Sequence, residues 1–290
     1  MSVFSIAYLF FQDHDIHDPF AGLARCARAY HKRRIYKKMS QYHFHEDGEE
    51  ICGRTFQGGY GARMIHPDGR PFYTFRTYTV LADGGGISFR DCCFENSAGP
   101  GETAGQAIAL YLDGDGITLT DCVLRGHQDT LFLAPLPLKP FLKNGFVGPK
   151  EFTPRTDRTV YFKNCLIEGG IDFIFGGATA YFDGCEFRNV EPGYVFAPCT
   201  PEGKEEGFVA RNCRFTAAEN VPEGSCYIGR PWRNHAKVRL ENCYLGKHIN
   251  PAGWHDWDKP ESHSTVSFEE TGSYGPGFVP EARPDYVKIF

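Results

Sequence analysis

The 290-residue sequence predicts an all-β solenoid, a stack of coils each built from short strands, and three observations carry that expectation. One pattern, apolar-x-apolar-x-[Asp/Asn/Gly]-Cys-x-apolar, occurs six times, with its cysteine at Cys92, Cys122, Cys165, Cys185, Cys213 and Cys243. The marker cysteines follow one another at 30, 43, 20, 28 and 30 residues, the spacing of coils with insertions of variable length. No helix-length apolar period lies between them, which argues against a βαβ fold.

Along the chain, residues 1 to about 57 are the least patterned. Ile6 to Phe11 reads as a strand or the apolar side of a short helix, Phe20 to Tyr30 as an amphipathic helix, and His31 to Arg34 as a solvated basic run. From Tyr60 onward short alternating runs end in Gly, Asn or Asp, which signals strands and turns. Within each repeat the alternation turns one face into the coil. The Asp, Asn or Gly before each Cys suits a left-handed turn, and the cysteines then form an internal ladder of small buried thiols. Two insertions build one side. Leu133 to Asp157 carries five prolines and reads as a cleft wall, and the segment after the last repeat carries Trp254, His255 and Trp257.

Composition narrows the function. A net charge of −5 leaves no basic footprint for nucleic acid. No segment is long and apolar enough to span a membrane, and Met1 to Phe11 lacks the basic start of a secretory leader. With an odd cysteine count, this gives a cytoplasmic expectation. His43, His45, His255 and His263 lack metal-ligand spacing with carboxylate support, and Gly84-Gly85-Gly86 is a turn rather than a nucleotide loop, so no metal or cofactor is expected.

The chemistry concentrates in two copies of G-x-x-D-x-[aliphatic]-F, at Gly126–Phe132 and Gly169–Phe175. Asp129 and Asp172 each lie seven residues after a marker cysteine. In a solenoid they stack about 4.8 Å apart, and two acids so close are pushed to different pKa values. The alternative is a pair of turn-capping aspartates. Gln106 and Gln128 are amide donors suited to an oxyanion, or ladder glutamines. Arg230 suits a bidentate hold on a carboxylate, or an ordinary salt bridge. Trp232, Trp254, Phe132 and Phe175 line a sugar groove or fill the core, and His127 reads as packing or support.

Taken in order, Gly105–Leu110, Gly126–Phe132, Asp172–Gly176, Tyr227–Trp232 and Gly253–Trp257 resemble the pectin methylesterase (pectinesterase) family from about Tyr60 to Gly277. The resemblance implies a single-stranded right-handed parallel β-helix and one domain over 1–290, with 1–57 as a divergent cap and first coil, 58–277 as the matching core and 278–290 as a tail. It implies hydrolysis of galacturonate methyl esters in pectin or oligogalacturonides, without cofactor. Asp172 would be the nucleophile, Asp129 the acid/base, Gln106 and Gln128 the oxyanion donors, and Arg230 the holder of the nucleophile. Trp232, Trp254, Phe132, Phe175, Tyr227 and Phe75 would contact substrate. The family's G-x-Y-x-E stretch has its nearest counterpart in Arg34–Lys38, which lacks both Gly and Glu. A glycosidase on the same solenoid and a non-catalytic carbohydrate-binding solenoid are the rival readings. A monomer is expected, with pectin as its only partner.

Overall fold

The computed structural model describes residues 40–290, so the expectations for Ile6–Phe11, Phe20–Tyr30, His31–Arg34 and Arg34–Lys38 lie outside the described residues. The described chain is a parallel β-helix. Three sheets of seven, nine and seven strands run the length of the molecule, and successive strands of one coil belong to successive sheets. Every strand pairing is parallel and in register, as in Leu110↔Leu131↔Ile174↔Phe196 along the first sheet. No helix among the described residues is long and apolar enough to cross a membrane.

The turn between the second and third sheets explains the repeat. Its residue takes positive φ in every coil: Gly53, Asp91, Asp121, Asn164, Gly184, Asn212, Asn242 and Gly272 lie between 53° and 64°. Only Gly, Asn and Asp adopt that backbone readily, which is why these three types alternate there. The next residue points inward in seven of these coils, while Arg54, after Gly53, is exposed. Six of these positions hold the marker cysteines, each buried, and each thiol donates weakly to the carbonyl two residues earlier at 3.2–3.6 Å.

The ladder extends one coil further at each end. Cys52↔Arg90 and Thr55↔Cys93 register places Arg54 opposite Cys92, and Glu241↔Thr271 with Tyr244↔Tyr274 places Ser273 opposite Cys243. The first described coil, with strands Tyr42–Phe44, Glu50–Cys52 and Thr55–Gly58, therefore matches those that follow it. The ten cysteines of the described residues are free thiols.

Inside the coil, stacked side chains repeat down each sheet, as in Phe94, Leu124, Ile167, Phe187, Phe215 and Leu245. Outside the first sheet a second apolar row, Leu81, Tyr111, Phe132, Phe175 and Ala197, is covered by the proline-rich insertion through Leu136 and Phe146. Lys150 of that insertion pairs with Asp83, and Arg155 donates to four of its own carbonyls. At the C-terminal end Arg283 and Glu270 form a fully buried ion pair, with Nε to Oε1 at 2.7 Å. Arg283 also donates to the Pro251 and Gly277 carbonyls.

Because removing one partner strands a buried charge, Arg283→Met is expected to destabilise the fold by about 3–5 kcal/mol in denaturant unfolding. Lys247→Ala, at an exposed pair, should change stability by less than about 1 kcal/mol. Equal effects would contradict this account of the C-terminal end.

Candidate active site

Asp129 and Asp172 occupy the same place on adjacent coils, each two residues before a strand of the first sheet, Leu131–Leu133 and Ile174–Gly176. Both take left-handed backbone, at φ 64° and 51°, a conformation Asp tolerates at a cost of about 1 kcal/mol. The Asp129 amide donates to the Ile171 carbonyl at 3.0 Å, which locks the stagger between the two coils. Gly176 directly follows the second motif at φ 134°; a Cβ there would lie 1.9 Å from the Leu133 carbonyl oxygen, so only glycine lets the coils close at this point.

The two acids are 8% and 6% exposed, yet their surroundings differ. Arg230 grips Asp172 with both arms, Nε to Oδ1 at 2.8 Å and Nη2 to Oδ2 at 2.7 Å. The guanidinium is held between two rings, with its carbon 3.8 Å from the Tyr194 centroid and 3.7 Å from that of Trp257. Asp129 has no cation within ion-pair distance among the described residues. Burial pushes its carboxyl well above the usual range, and the neighbouring Asp172 charge adds to the push. Burial also raises Asp172, but the Arg230 bonds and the charges of Arg230 and Lys259 pull it back. Both carboxyls are thus raised, Asp129 further than Asp172, and of the two Asp129 is the one better suited to hold a proton.

Lys259 supports the arrangement from behind. Its ammonium donates to the Pro231 carbonyl at 2.8 Å and lies 4.4 Å from the Trp257 ring centroid. Burial, with Arg233 and Arg230 nearby, lowers it to about 8.

Both carboxyls open into a cleft of about 510 Å³. Gln106, Gln128, Arg230, Trp232, Phe175 and Phe75 line it with them. Gln128 rests on Gly101 of the short helix Gly101–Ala104; a Cβ there would lie 2.4 Å from Oε1. Pro140 to Lys143, Gly145 and Phe146 form one wall, the place expected for the insertion.

Three expected groove residues stand elsewhere. Trp254 is 1% exposed; it stacks on Phe268 with centroids 4.4 Å apart, and its indole N–H donates to buried Glu270 at 2.9 Å. Phe132 faces the cleft side of its sheet but is sealed between Tyr111, Phe175 and Phe75. Tyr227 lies outside the cleft lining and stacks on Tyr194 at 5.3 Å.

Trp254 acts instead as a root. It bridges to Gly229, next to Arg230, and so anchors the loop that carries Trp257 over the guanidinium. Trp257 and Tyr194 are the residues that sequence reasoning missed. The signals for Trp257 were its place at the end of the Gly253–Trp257 stretch and in the same aromatic insertion as Trp254, and Tyr194 carried none. His127 sits behind the site against Glu191 at 3.3 Å. His255, Asp256 and Asp258 bring ligand atoms within 4.8 Å of one another. His255 Nδ1 already accepts from the Trp257 amide, and the two Asp256 oxygens bond the Asp258 amide and His263.

Residues 33–145 and 154–288 match the family model described as Pectinesterase. The chain is 32% identical over 218 residues to the probable pectinesterase/pectinesterase inhibitor 19 of Arabidopsis thaliana, covering 72% of this chain and 37% of that protein. It is 32% identical over 211 residues to pectinesterase 31 of the same plant, covering 72% and 58%. Its fold is similar to a pectin methylesterase of Aspergillus niger, with TM-score 0.68, 26% identity and coverage of 87% and 78%. It is also similar to the carrot enzyme, with TM-score 0.67, 22% identity and coverage of 88% and 81%. The chain thus spans about 37% and 58% of these two plant relatives, less than two thirds of either. These matches correct the cytoplasmic expectation, because the plant pectinesterases among them are secreted cell-wall enzymes. The cysteine argument for a reducing compartment also falls, since packing inside the coil is what places the ladder thiols.

A buried carboxyl held above its unfolded pKa costs the fold stability as pH rises from about 4 toward its folded value. Asp129→Asn removes that cost. The variant should gain about 1 kcal/mol or more on the parent at pH 8 relative to pH 4 in denaturant unfolding. A difference that stays flat with pH would contradict a proton resident on Asp129.

Proposed function

We propose that this chain, which belongs to the pectinesterase family, hydrolyses the methyl esters of galacturonate units in pectin or oligogalacturonides, releasing methanol and leaving free carboxylates. The observation that carries the reading is the unequal pair: a carboxylate clamped by Arg230 directly beside a buried one that has no cation partner among the described residues and that burial pushes well above the usual range. A related pectin methylesterase of similar fold has been captured with a hexasaccharide, which supports a polymeric uronide as the substrate class.

In the proposed reaction Asp172 is the nucleophile. Each of its oxygens keeps a lone pair beyond the one Arg230 occupies, and one attacks the ester carbonyl carbon. The electron pair moves onto the carbonyl oxygen, where the Gln106 and Gln128 amides donate to it. Collapse breaks the bond to the methoxy oxygen, which takes the Asp129 proton and leaves as methanol. What remains is an anhydride between Asp172 and the galacturonate carbonyl. Asp129, now a carboxylate, takes a proton from water as the hydroxide attacks that carbonyl. Asp172 is expelled as a carboxylate, and both acids return to their starting states.

Trp232 and Phe175 would present apolar faces to the sugar rings, with Trp257 and Phe75 beside them. All these residues come from one solenoid, so the reading uses the protein as a single domain and a monomer.

Highly methylated pectin incubated with the protein should yield methanol, and Asp172→Asn should cut the rate by about 10⁴-fold. The rate should form a bell with pH, falling on the acid side as Asp172 gains a proton and on the alkaline side as Asp129 loses its own. New reducing ends without methanol would replace this reading with glycoside hydrolysis.

A further inference from the structure

Three cations stand close together beside the paired acids, and aromatic rings separate them. Arg230 and Arg233 come from the loop after strand Tyr227–Gly229, and Lys259 comes from the loop that carries Trp257. The centroid of the Trp257 ring lies 3.7 Å from the Arg230 guanidinium carbon and 4.4 Å from the Lys259 ammonium. That of Phe141, in the proline-rich insertion, lies 5.3 Å from the same ammonium and 3.5 Å from the Arg233 guanidinium carbon. Cation and ring therefore alternate from Arg230 through Trp257, Lys259 and Phe141 to Arg233.

Lys259 is the middle member of this series. Its ammonium donates to the Pro231 carbonyl at 2.8 Å and to the Trp232 carbonyl at 3.4 Å, on the two residues that follow Arg230. No carboxylate lies within 4 Å of it among the described residues, so carbonyls and ring faces hold the charge. Like charges this close repel, and the electron-rich faces between them offset that. Three segments distant in sequence are thereby joined, and Phe141 reaches Trp257 through the ammonium. Arg233 adds a second tie to the insertion by donating to the Lys139 carbonyl at 2.9 Å.

Phe141, Trp257 and Arg233 line the cleft, whereas Lys259 stands outside the lining. The charged groups around its ammonium are Arg233, Arg230, Glu261 and Asp172, and its own charge favours an ionised Asp172. We infer that Lys259 is a positioning residue for Asp172: it joins the insertion tip to the Arg230 clamp, so that the cleft wall and the grip on the nucleophile move as one unit. A sugar ring pressed on the wall then tightens the hold on the attacking carboxylate. The effect on rate rests on the ester-hydrolase reading, but the link itself is measurable without turnover.

Hydrogen exchange followed by mass spectrometry reads the link directly. Lys259→Met keeps the stem and removes the charge; it should speed exchange about ten-fold both in the insertion tip, residues 139–146, and in residues 254–258. Phe141→Leu, at an exposed position, should do the same in 254–258, a segment it reaches through Lys259. With methylated pectin, Lys259→Met should lower kcat about ten-fold and move KM by less than about two-fold. The acid limb of its pH profile should shift to higher pH, because Asp172 loses a charge that pulled its carboxyl down. Lys259→Arg keeps a cation between the rings and should hold that limb in place while recovering most of kcat. Exchange in 254–258 untouched by Phe141→Leu, or an acid limb that Lys259→Met leaves where it was, overturns the inference. If Lys259→Met does not fold, the Phe141→Leu exchange decides alone. Methanol release without the exchange link would sink this role of Lys259 and leave the esterase reading intact. The exchange link in a protein that releases no methanol would sink the esterase reading alone.

Discussion

The fixed register between adjacent coils is the constraint on which the rest of the molecule depends. Parallel hydrogen bonds hold Leu131 opposite Ile174 and Phe132 opposite Phe175, so Asp129 and Asp172 cannot drift apart without breaking the sheet. At a separation near 5 Å and an effective dielectric of about 20, two carboxylates repel by roughly 3 kcal/mol. The backbone does not yield to that force, and the protonation states do. Arg230 makes the two acids unequal: it favours charge on Asp172, while burial and the Asp172 charge push Asp129 further up.

Much of the remaining structure serves to keep Arg230 in place. Tyr194 comes from one coil of the first sheet and Trp257 from the loop after the last repeat, and they enclose the guanidinium. Behind them the Trp254 indole bonds the Glu270 carboxylate, which Arg283 in turn neutralises deep in the C-terminal coil. A charge pair 1% and 0% exposed is costly by itself; here it fixes the loop that covers the site. The proline-rich insertion closes the other side, tied by Lys150 to Asp83 and stacked through Phe146 on the outer apolar row.

The fold was legible wherever a cysteine followed the left-handed turn, and it went unseen where another residue stood in that place. Arg54 hid the first described coil and Ser273 the last, although Gly53 and Gly272 keep the same turn at φ 64° and 63°. The paired acids were legible because a solenoid turns a fixed offset from a marker into spatial stacking. The aromatic residues were not, since a sequence cannot say which layer covers which. Phe132 lies on the correct face but beneath the insertion, whereas Trp254 and Trp257, three residues apart, point to opposite sides of their loop. Tyr194 has no motif around it and reaches Arg230 only through the stacking of coils.

The central claim is that one proton is shared unequally by the two acids, and isotope-edited infrared difference spectroscopy reads it directly. With ¹³C-labelled aspartate at neutral pH, the account predicts a protonated-carboxyl C=O band from a buried site that disappears in Asp129→Asn and persists in Asp172→Asn. A band lost in Asp172→Asn but kept in Asp129→Asn, or no such band in the parent, would contradict it.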